Sequence, residues 1–288
     1  MPRLIVNADD FGMAPGVNRA ILELHAAEVL TSATLMARAA ATEEAVQMAL
    51  AMPTLGVGCH VVLVNGTPVS DTQRVSSLVD GATSAFHETI GAFLKRLYTA
   101  RIRPSQIEAE ASAQIALLQG YGLRLTHIDT HKHLHMFPGV LGPVLRAARA
   151  AGIRAIRNPF EPIWSINATA NAPDTRRAEV LLLRRLERRF RRIVAREGFV
   201  TTDGSIGVLA TGTLELSVVH SLISAMPEGT FEFVSHPGYR DDALARANTR
   251  LLESREIERN ALVAIKGYAG LDLISFAALH ESANQSVT

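Results

Sequence analysis

Predicted strands and helices alternate along the whole chain, and this alternation limits the fold more than any other feature of the sequence. Short apolar runs at 4–6, 31–36 and 55–63 are each followed by a segment with the apolar spacing of a helix or by a connecting excursion. Such alternation is typical of parallel strands with crossover helices, in an α/β barrel or a doubly wound sheet. About seven β–α units favour the barrel. Without any break in composition, residues 1–288 are expected to form one domain, with an excursion at about 65–102.

Polar side chains of catalytic and metal-binding types fall at the carboxyl ends of predicted strands. In a β/α barrel these ends converge on one face, so segments far apart in sequence would point into one pocket. The residues in such positions are Asp9, Asp10, His60, His131, Arg157 and His236.

The stretch 126–138, T-H-I-D-T-H-K-H-L-H-M-F-P, has a histidine or an aspartate at every second position from 127 to 135. Alternate side chains of a strand point to the same face, so an extended conformation would align these imidazoles and the carboxylate. Imidazole is the commonest protein ligand for metals such as zinc. The stretch is therefore predicted to be a strand that contributes to a metal site.

A complete set of groups for metal-assisted hydrolysis of an amide or ester can be drawn from the strand ends. Asp10, His60 and His131 would form a three-ligand set that leaves positions open for water and substrate. Asp9 would remain unligated as the base, and His236 could protonate the leaving group. Arg157 could hold Asp9 ionised through a charge-assisted hydrogen bond.

Each of these residues also has a structural interpretation. The Asp9–Asp10 pair could form a turn before a helix, and His60, among valines and leucines, could be a core histidine. The sequence His236-Pro-Gly is common in loops, and Arg157 could make a surface ion pair. The functional interpretation is favoured because all of them fall at strand ends together.

Composition limits the partners and the compartment. The formal net charge is +1 and the sequence pI about 8.0, so no general attraction to nucleic acid is expected. One cysteine, no visible signal peptide and no long apolar run predict a cytoplasmic protein without a membrane span. The predicted helix 175–197 is rich in arginine, which predicts a solvated face or peripheral contact with an anionic surface or membrane. A homodimer is common for enzymes of this size.

Four motifs together resemble those of the YdjC-like carbohydrate deacetylases, which include chitooligosaccharide deacetylases and hopanoid-biosynthesis-associated deacetylases. They are N-A-D-D-F-G at 7–12, G-C-H-V-V-L at 58–63, the histidine-rich stretch, and S-H-P-G-Y at 235–239. The resemblance covers nearly the full length of the chain. It implies a distorted seven-stranded parallel β/α barrel and metal-dependent removal of the acetyl group from an N-acetylated amino sugar, in an oligosaccharide or glycolipid.

Carried over to this chain, the resemblance implies Asp10, His60 and His131 as metal ligands, Asp9 as base and His236 as acid. Arg157, within R-N-P, is a weaker correspondence. The family often reads H-x-D-x-H-H-H-x-H, and this chain has Lys132 at one of those histidine positions, so no ligand is assigned there. Four further residues keep open roles, either orienting His131 or contacting the sugar: His127, Asp129, His133 and His135.

Zinc is the first choice of cation, although the same ligands also hold Mg²⁺, Co²⁺, Ni²⁺, Mn²⁺ or Fe²⁺. A metal-dependent phosphoesterase is an alternative that should show a second metal site with bridging carboxylates, and an iron oxygenase usually has a different, double-stranded β-helix fold. A non-catalytic sugar- or lipid-binding protein is another alternative. Residues 65–102 and 161–174 are expected to form the specificity walls, where Trp164 is either a sugar-stacking or a core residue.

Overall fold

A computed structural model describes residues 1–170 and 172–279, in which seven parallel strands form one curved sheet. In the sheet the strand order is β4-β3-β2-β1-β6-β5, with β7 pairing beside the start of β1. The strands are β1 (Arg3–Phe11), β2 (Ser32–Leu35), β3 (Gly56–Val61), β4 (Ile128–Thr130), β5 (Gly204–Ile206), β6 (Thr230–Ser235) and β7 (Asp272–Leu273). The predicted parallel α/β architecture is therefore confirmed.

Helices connect these strands and cover the sheet. They are α1 (Pro15–Ala26), α2 (Thr42–Ala51), α3 (Ile90–Tyr98), α4 (Pro104–Gly120), α5 (Pro138–Ala150), α6 (Ile163–Ala168), α7 (Asp174–Leu183), α8 (Glu187–Arg196), α9 (Leu216–Ser224), α10 (Asp242–Arg246) and α11 (Ser254–Leu262). Short 3₁₀ segments span His131–Met136, Arg184–Leu186 and Val263–Gly267. No described helix has both the length and the apolar character needed to cross a membrane.

The first strand lies at the centre of the sheet. It pairs with β6 from Arg3 to Ala8 and with β2 further along, so eight of its nine residues are buried. A strand covered on both faces needs apolar side chains on both, which is why the run L-I-V at 4–6 shows no alternation with polar residues. This central position carries the two acids at the end of β1 into the middle of the carboxyl edge of the sheet.

Helix α4, which the apolar spacing of residues 104–121 predicts, shows how the outer layer forms. Pro104 occupies the first turn, where its missing N–H has no partner to lose. Ile107, Ile115 and Leu118 recur at helical spacing and are fully buried. Helix α4 packs most extensively against α5, so its apolar stripe is covered by a neighbouring helix as well as by the sheet.

Three predicted elements differ from the structure. The histidine-rich stretch is extended only over Ile128–Thr130 and then turns into a 3₁₀ segment, with Lys132 and His133 at φ of 56° and 53°. Its imidazoles are therefore not aligned on one face. The sequence at 153–157 also predicts a strand, but it makes only the single parallel bridges of Ala155 and Ile156. The long helix predicted at 175–197 is divided by the 3₁₀ turn at Arg184–Leu186.

The close approach of strand β3 to the chain before β4 predicts a steric effect at Gly58. A Cβ added there would lie 2.5 Å from the ring of His127, which is itself stacked on Phe276 with ring centroids 3.8 Å apart. Because the ring is held on its other face, we expect Gly58→Ala to lower the free energy of unfolding by about 1–3 kcal/mol. Urea denaturation measures this change. Gly91→Ala in α3 is the control, since nothing lies within 4 Å of its added Cβ; equal stability of the two variants would contradict the prediction.

Candidate metal centre and active site

Two adjacent acids enter the same site although neighbouring side chains of a regular strand point to opposite faces. Asp10 has a φ of 65°, and the pairing of β1 with β2 shifts register between Ala8 and Phe11. A residue in this left-handed region is uncommon outside glycine and asparagine or aspartate. The local irregularity turns both Asp9 and Asp10 toward the cavity at the carboxyl edge of the sheet.

Three buried donor atoms from different strand ends meet beside Asp10. The Oδ1 atom of Asp10 lies 3.6 Å from His60 Nε2 and 3.3 Å from His131 Nδ1, and the two nitrogens are 3.2 Å apart. Ligands of a tetrahedral cation with bonds of about 2.0 Å are separated by about 3.3 Å. Asp10 Oδ1 has no hydrogen-bond partner in the described part of the chain. The three groups therefore fit one divalent cation.

A second group of side chains, Asp9, His60 and Asp129, also has donor atoms close enough to hold a cation. Its carboxylates already bind the guanidinium of Arg157, at distances of 2.5 to 2.8 Å. A cation there would be repelled by the fixed positive charge of the arginine. The group containing Asp10 is therefore the candidate metal centre.

The orientation of His60 is set by hydrogen bonds to its other ring nitrogen. Its Nδ1 donates to Asp129 Oδ1 at 2.8 Å and lies 3.1 Å from Thr34 Oγ1, so Nε2 is directed toward Asp10 and His131. Burial opposes the charged imidazole, but Asp129 outweighs it and raises the pKa of His60 to about 9. A carboxylate in this position makes an imidazole a stronger metal ligand.

Asp10 is held from its other side by an arginine that sequence reasoning missed. Arg255, in α11, is fully buried and donates from Nη2 to Asp10 Oδ2 at 2.6 Å. Burial opposes ionisation of Asp10, but Arg255 outweighs it and keeps the pKa of the carboxyl well below its usual range. Nothing in the local sequence distinguishes Arg255 from the exposed arginines around it. Only the packing of α11 against the sheet edge brings it to the site.

A single buried guanidinium organises the other carboxylates. Arg157 donates to Asp9, to Asp129 and, from Nε at 2.8 Å, to Glu232 on β6. The charge of Arg157 holds the pKa of Asp9 well below its usual range, despite burial. Burial and the neighbouring charges of Asp9 and Asp129 outweigh the attraction of Arg157 and raise the pKa of Glu232 to about 7. Glu232 was also missed, although an acid inside the apolar strand T-F-E-F-V was a usable signal.

His236 faces Asp9 across the cavity floor. Its Nε2 lies 3.8 Å from Asp9 Oδ2, and its Nδ1 lies 3.7 Å from Glu258 Oε2. Burial opposes the charged imidazole, but Glu258 outweighs it, with help from the two aspartates, and raises the pKa of His236. Glu258 also accepts the backbone N–H of His236 at 2.7 Å. This buried acid on α11 therefore fixes both the position and the charge preference of the imidazole, and no local sequence pattern indicated it.

The remaining histidines of the stretch 126–138 have different surroundings. His127 is stacked on Phe276 in the core, and His135 Nδ1 lies 2.8 Å from Thr130 Oγ1 in the interior. His133 faces the cavity, and burial lowers its pKa to about 3. His131 is the one member of the stretch whose ring joins Asp10 and His60. The left-handed turn at Lys132 and His133 directs the histidines of this stretch into these different surroundings.

The candidate site opens into a cavity of about 590 Å³. Its floor is polar, and its outer walls are largely apolar. The wall side chains include Ile90 and Leu94 of α3, Phe137, Leu182 and Leu183 of α7, and Leu251. The predicted wall at 65–102 is therefore part of the cavity. Of the wall predicted at 161–174, only Glu161 lines the cavity among the described residues 161–170 and 172–174. Trp164 packs edge-on against Phe231, with ring centroids 5.1 Å apart, and does not line the cavity.

Comparisons with known proteins define the class to which this chain belongs. The model of the YdjC-like protein family matches residues 3–265. The chain is 27% identical over 265 residues to a carbohydrate deacetylase of Thermoanaerobacter pseudethanolicus, covering 91% of each chain. It is 46% identical over 147 residues to a carbohydrate deacetylase of Brevibacillus brevis, an alignment that spans 51% of this chain and about half, 55%, of that relative.

Among solved structures, a candidate cellobiose-phosphate cleavage protein of Enterococcus faecalis V583 matches with a TM-score of 0.75 and 25% identity. The match covers 96% of this chain and 98% of that one. The fold and the family match extend together over almost the whole chain. This chain belongs to the YdjC-like protein family.

The raised pKa of Glu232 predicts a pH dependence of stability. Between its usual pKa near 4.5 and the folded value of about 7, the folded state binds a proton that the unfolded state has lost. Stability from this group therefore falls as pH rises through that window, by up to about 1.4 kcal/mol per pH unit. Glu232→Gln removes the titration. Urea denaturation at pH 5, 6 and 7 should show wild type losing stability relative to the variant; a constant difference would contradict this.

The contact between Arg255 and Asp10 predicts an effect on cation affinity. Without the guanidinium, the Asp10 carboxylate loses the hydrogen bond that orients its free oxygen, so Arg255→Met should weaken zinc binding by about 10–100-fold. Isothermal titration with zinc measures this change, and thermal unfolding checks that the variant is folded. The control is Arg259→Met on the same helix, which removes a partly exposed pair with Glu23. Equal zinc affinity of the two variants would rule out an orienting role for Arg255.

Proposed function

We propose that this protein is a metal-dependent deacetylase that hydrolyses the acetamide of an N-acetylated amino sugar. The observation that carries the proposal is the group of three donor atoms, Asp10 Oδ1, His60 Nε2 and His131 Nδ1, beside the separate carboxylate of Asp9. Membership of the YdjC-like family and the printed names of the relatives, carbohydrate deacetylases, support the same reaction.

Zinc is the proposed cation, held by Asp10, His60 and His131. Two imidazoles and one carboxylate form a ligand set common in catalytic zinc sites, and the separation of the donor atoms suits a small cation. Other divalent first-row metals fit the same donors. When bound, such a cation supplies an electrophile for the acetyl carbonyl and an acidic water for attack.

Asp9 is the proposed base. Its Oδ1 accepts hydrogen bonds from Asn7, Thr34 and Arg157, whereas Oδ2 accepts one from Arg157 and faces His236. Oδ2 is therefore the oxygen with capacity for a further proton. Arg157 keeps Asp9 ionised at neutral pH. That guanidinium also binds Asp129 and Glu232, so three acids share its positive charge.

His236 is the proposed acid. Glu258 and the nearby aspartates raise its pKa, so the imidazole can carry the proton that the departing amine needs. His236 Nε2 lies 3.8 Å from Asp9 Oδ2, so the proposed proton donor and proton acceptor stand side by side on the cavity floor. The sugar itself would occupy the cavity above this polar floor.

The sheet is further proposed to close into a distorted seven-stranded barrel. Two single bridges support the closure: Ile156 pairs with Ile128 of β4, and Ala155 pairs with Val200 just before β5. Backbone hydrogen bonds from Ile128 to Ala155 and between Ile156 and Val200, at 3.0 Å, connect the two edges of the sheet. A closed sheet would explain why groups from β1, β3 and β4 meet over one cavity.

The alternative reactions have less support. A two-metal phosphoesterase needs a second cation between carboxylates, and Arg157 already occupies that position in this chain. The parallel α/β sheet also differs from the double-stranded β-helix of the iron oxygenases. A purely binding role does not account for a buried, metal-sized group of ligands beside an ionised acid.

Acetate release tests the reaction directly. Purified protein loaded with zinc or cobalt should release acetate from N-acetylglucosamine oligomers or other N-acetylated saccharides, and removal of the metal by a chelator should stop it. Metal content is measured on the same samples. Bound metal without acetate release from any N-acetylated saccharide would count against the deacetylase assignment.

Variants of the two adjacent acids separate the roles of base and ligand. Asp9→Asn should keep the metal but lower kcat by about 10²–10⁴-fold, because the proton acceptor is lost. Asp10→Asn, the matched change one residue further on, should lower metal affinity first. Acetate release and metal analysis measure the two effects. Near-normal turnover by the Asp9 variant would show that another group accepts the proton.

A further inference from the structure

The outward face of α8 and of the turn before it carries four arginines without an ion-pair partner among residues 1–170 and 172–279. They are Arg185, Arg188, Arg189 and Arg192, and all four are exposed. Their spacing of i, i+3, i+4 and i+7 places them on one side of a helix. Neighbouring arginines differ, since Arg184 and Arg191 both bind Glu187. The unpaired charge is thus concentrated on a single face.

This concentration does not follow from the composition of the protein. The formal net charge of the chain is +1, yet residues 174–196 contain nine arginines and three carboxylates. The helix is anchored by its opposite side, where Phe190 and Val194 are buried. Like charges one turn apart, as in the pair Arg185 and Arg189, destabilise a helix. The exposed arginines therefore contribute nothing visible to folding, and their arrangement fits an external anionic partner.

Apolar side chains lie next to these charges. Leu181 and Leu182, at the end of α7, are 41% and 58% exposed, and Leu182 also lines the cavity. A surface that joins free arginines to exposed leucines matches the interface of a bilayer, where cations meet phosphates and apolar groups enter the headgroup region. The phosphates of a nucleic acid would match the arginines but leave the leucines in water.

We propose that this basic surface, formed by Leu181, Leu182, Arg185, Arg188, Arg189 and Arg192, docks to a bilayer that contains anionic phospholipids. The binding is peripheral and electrostatic, since the apolar side of α8 is occupied by the protein core. The basic surface adjoins the cavity rim through Leu182. Docking would therefore bring the mouth of the cavity close to the membrane surface. The proposal rests on this surface alone and holds whether or not the proposed reaction is correct.

Sedimentation with lipid vesicles tests the docking. The full chain should bind vesicles of phosphatidylcholine with phosphatidylglycerol at low salt, and bind neither pure phosphatidylcholine vesicles nor the anionic ones at high salt. Replacing the four arginines Arg185, Arg188, Arg189 and Arg192 by glutamine should lower the partition coefficient by about a hundredfold or more. None of the four lines the cavity, so metal content and any activity on soluble saccharides should not change.

A matched variant controls for general charge. It replaces four other exposed arginines that have no ion pair in the described part of the chain, and it should bind the vesicles as the wild type does. These are Arg74, Arg101, Arg124 and Arg246. Leu181→Ser should weaken vesicle binding without changing binding to an oligonucleotide.

Three outcomes would overturn the proposal. The first is failure of the wild type to bind anionic vesicles at low salt. The second is an equal loss of binding in both sets of arginine variants, which would reduce the effect to net charge. The third is binding of an oligonucleotide through the same four arginines, with no binding to vesicles, which would assign the surface to nucleic acid.

Discussion

The burial of charge at the carboxyl edge of the sheet is the constraint on which the rest of the structure depends. Arg157 has no exposed surface, and it binds acids from three strands, namely Asp9 on β1, Asp129 on β4 and Glu232 on β6. An uncompensated charge in this position would cost several kcal/mol. The guanidinium therefore ties distant segments of the sheet together, and the acids in turn fix the guanidinium.

Two buried arginines also give the adjacent acids Asp9 and Asp10 different environments. Both oxygens of Asp9 bind Arg157, which keeps that acid ionised and pairs it with a guanidinium. Only one oxygen of Asp10 binds Arg255, so the other faces His60 and His131. Two side chains of identical chemistry thus differ in their surroundings, as the proposed roles of base and ligand require. The left-handed backbone at Asp10 makes this possible, since it turns neighbouring residues into one cavity.

The polar floor and the apolar walls of the cavity are formed by different elements of the fold. The strand ends and the buried residues of α11 form the polar floor, where Asp129 orients His60 and Glu258 orients His236. Loops and helices α3 and α7 supply the apolar walls above it. A rigid sheet can therefore hold the groups of the polar floor in fixed positions, whereas walls built from loops and helices tolerate more variation.

The sequence by itself determined the parallel α/β class, because the alternation of apolar strands and amphipathic helices admits few other arrangements. It also singled out Asp10, His60 and His131, because they are metal-binding residue types that fall together at predicted strand ends. Tertiary structure alone decided the rest. The histidine-rich stretch bends after Thr130, because Lys132 and His133 adopt left-handed backbone conformations that their residue types do not predict. Arg255 and Glu258 reach the site only through the docking of α11, a long-range contact that leaves no local pattern in the chain.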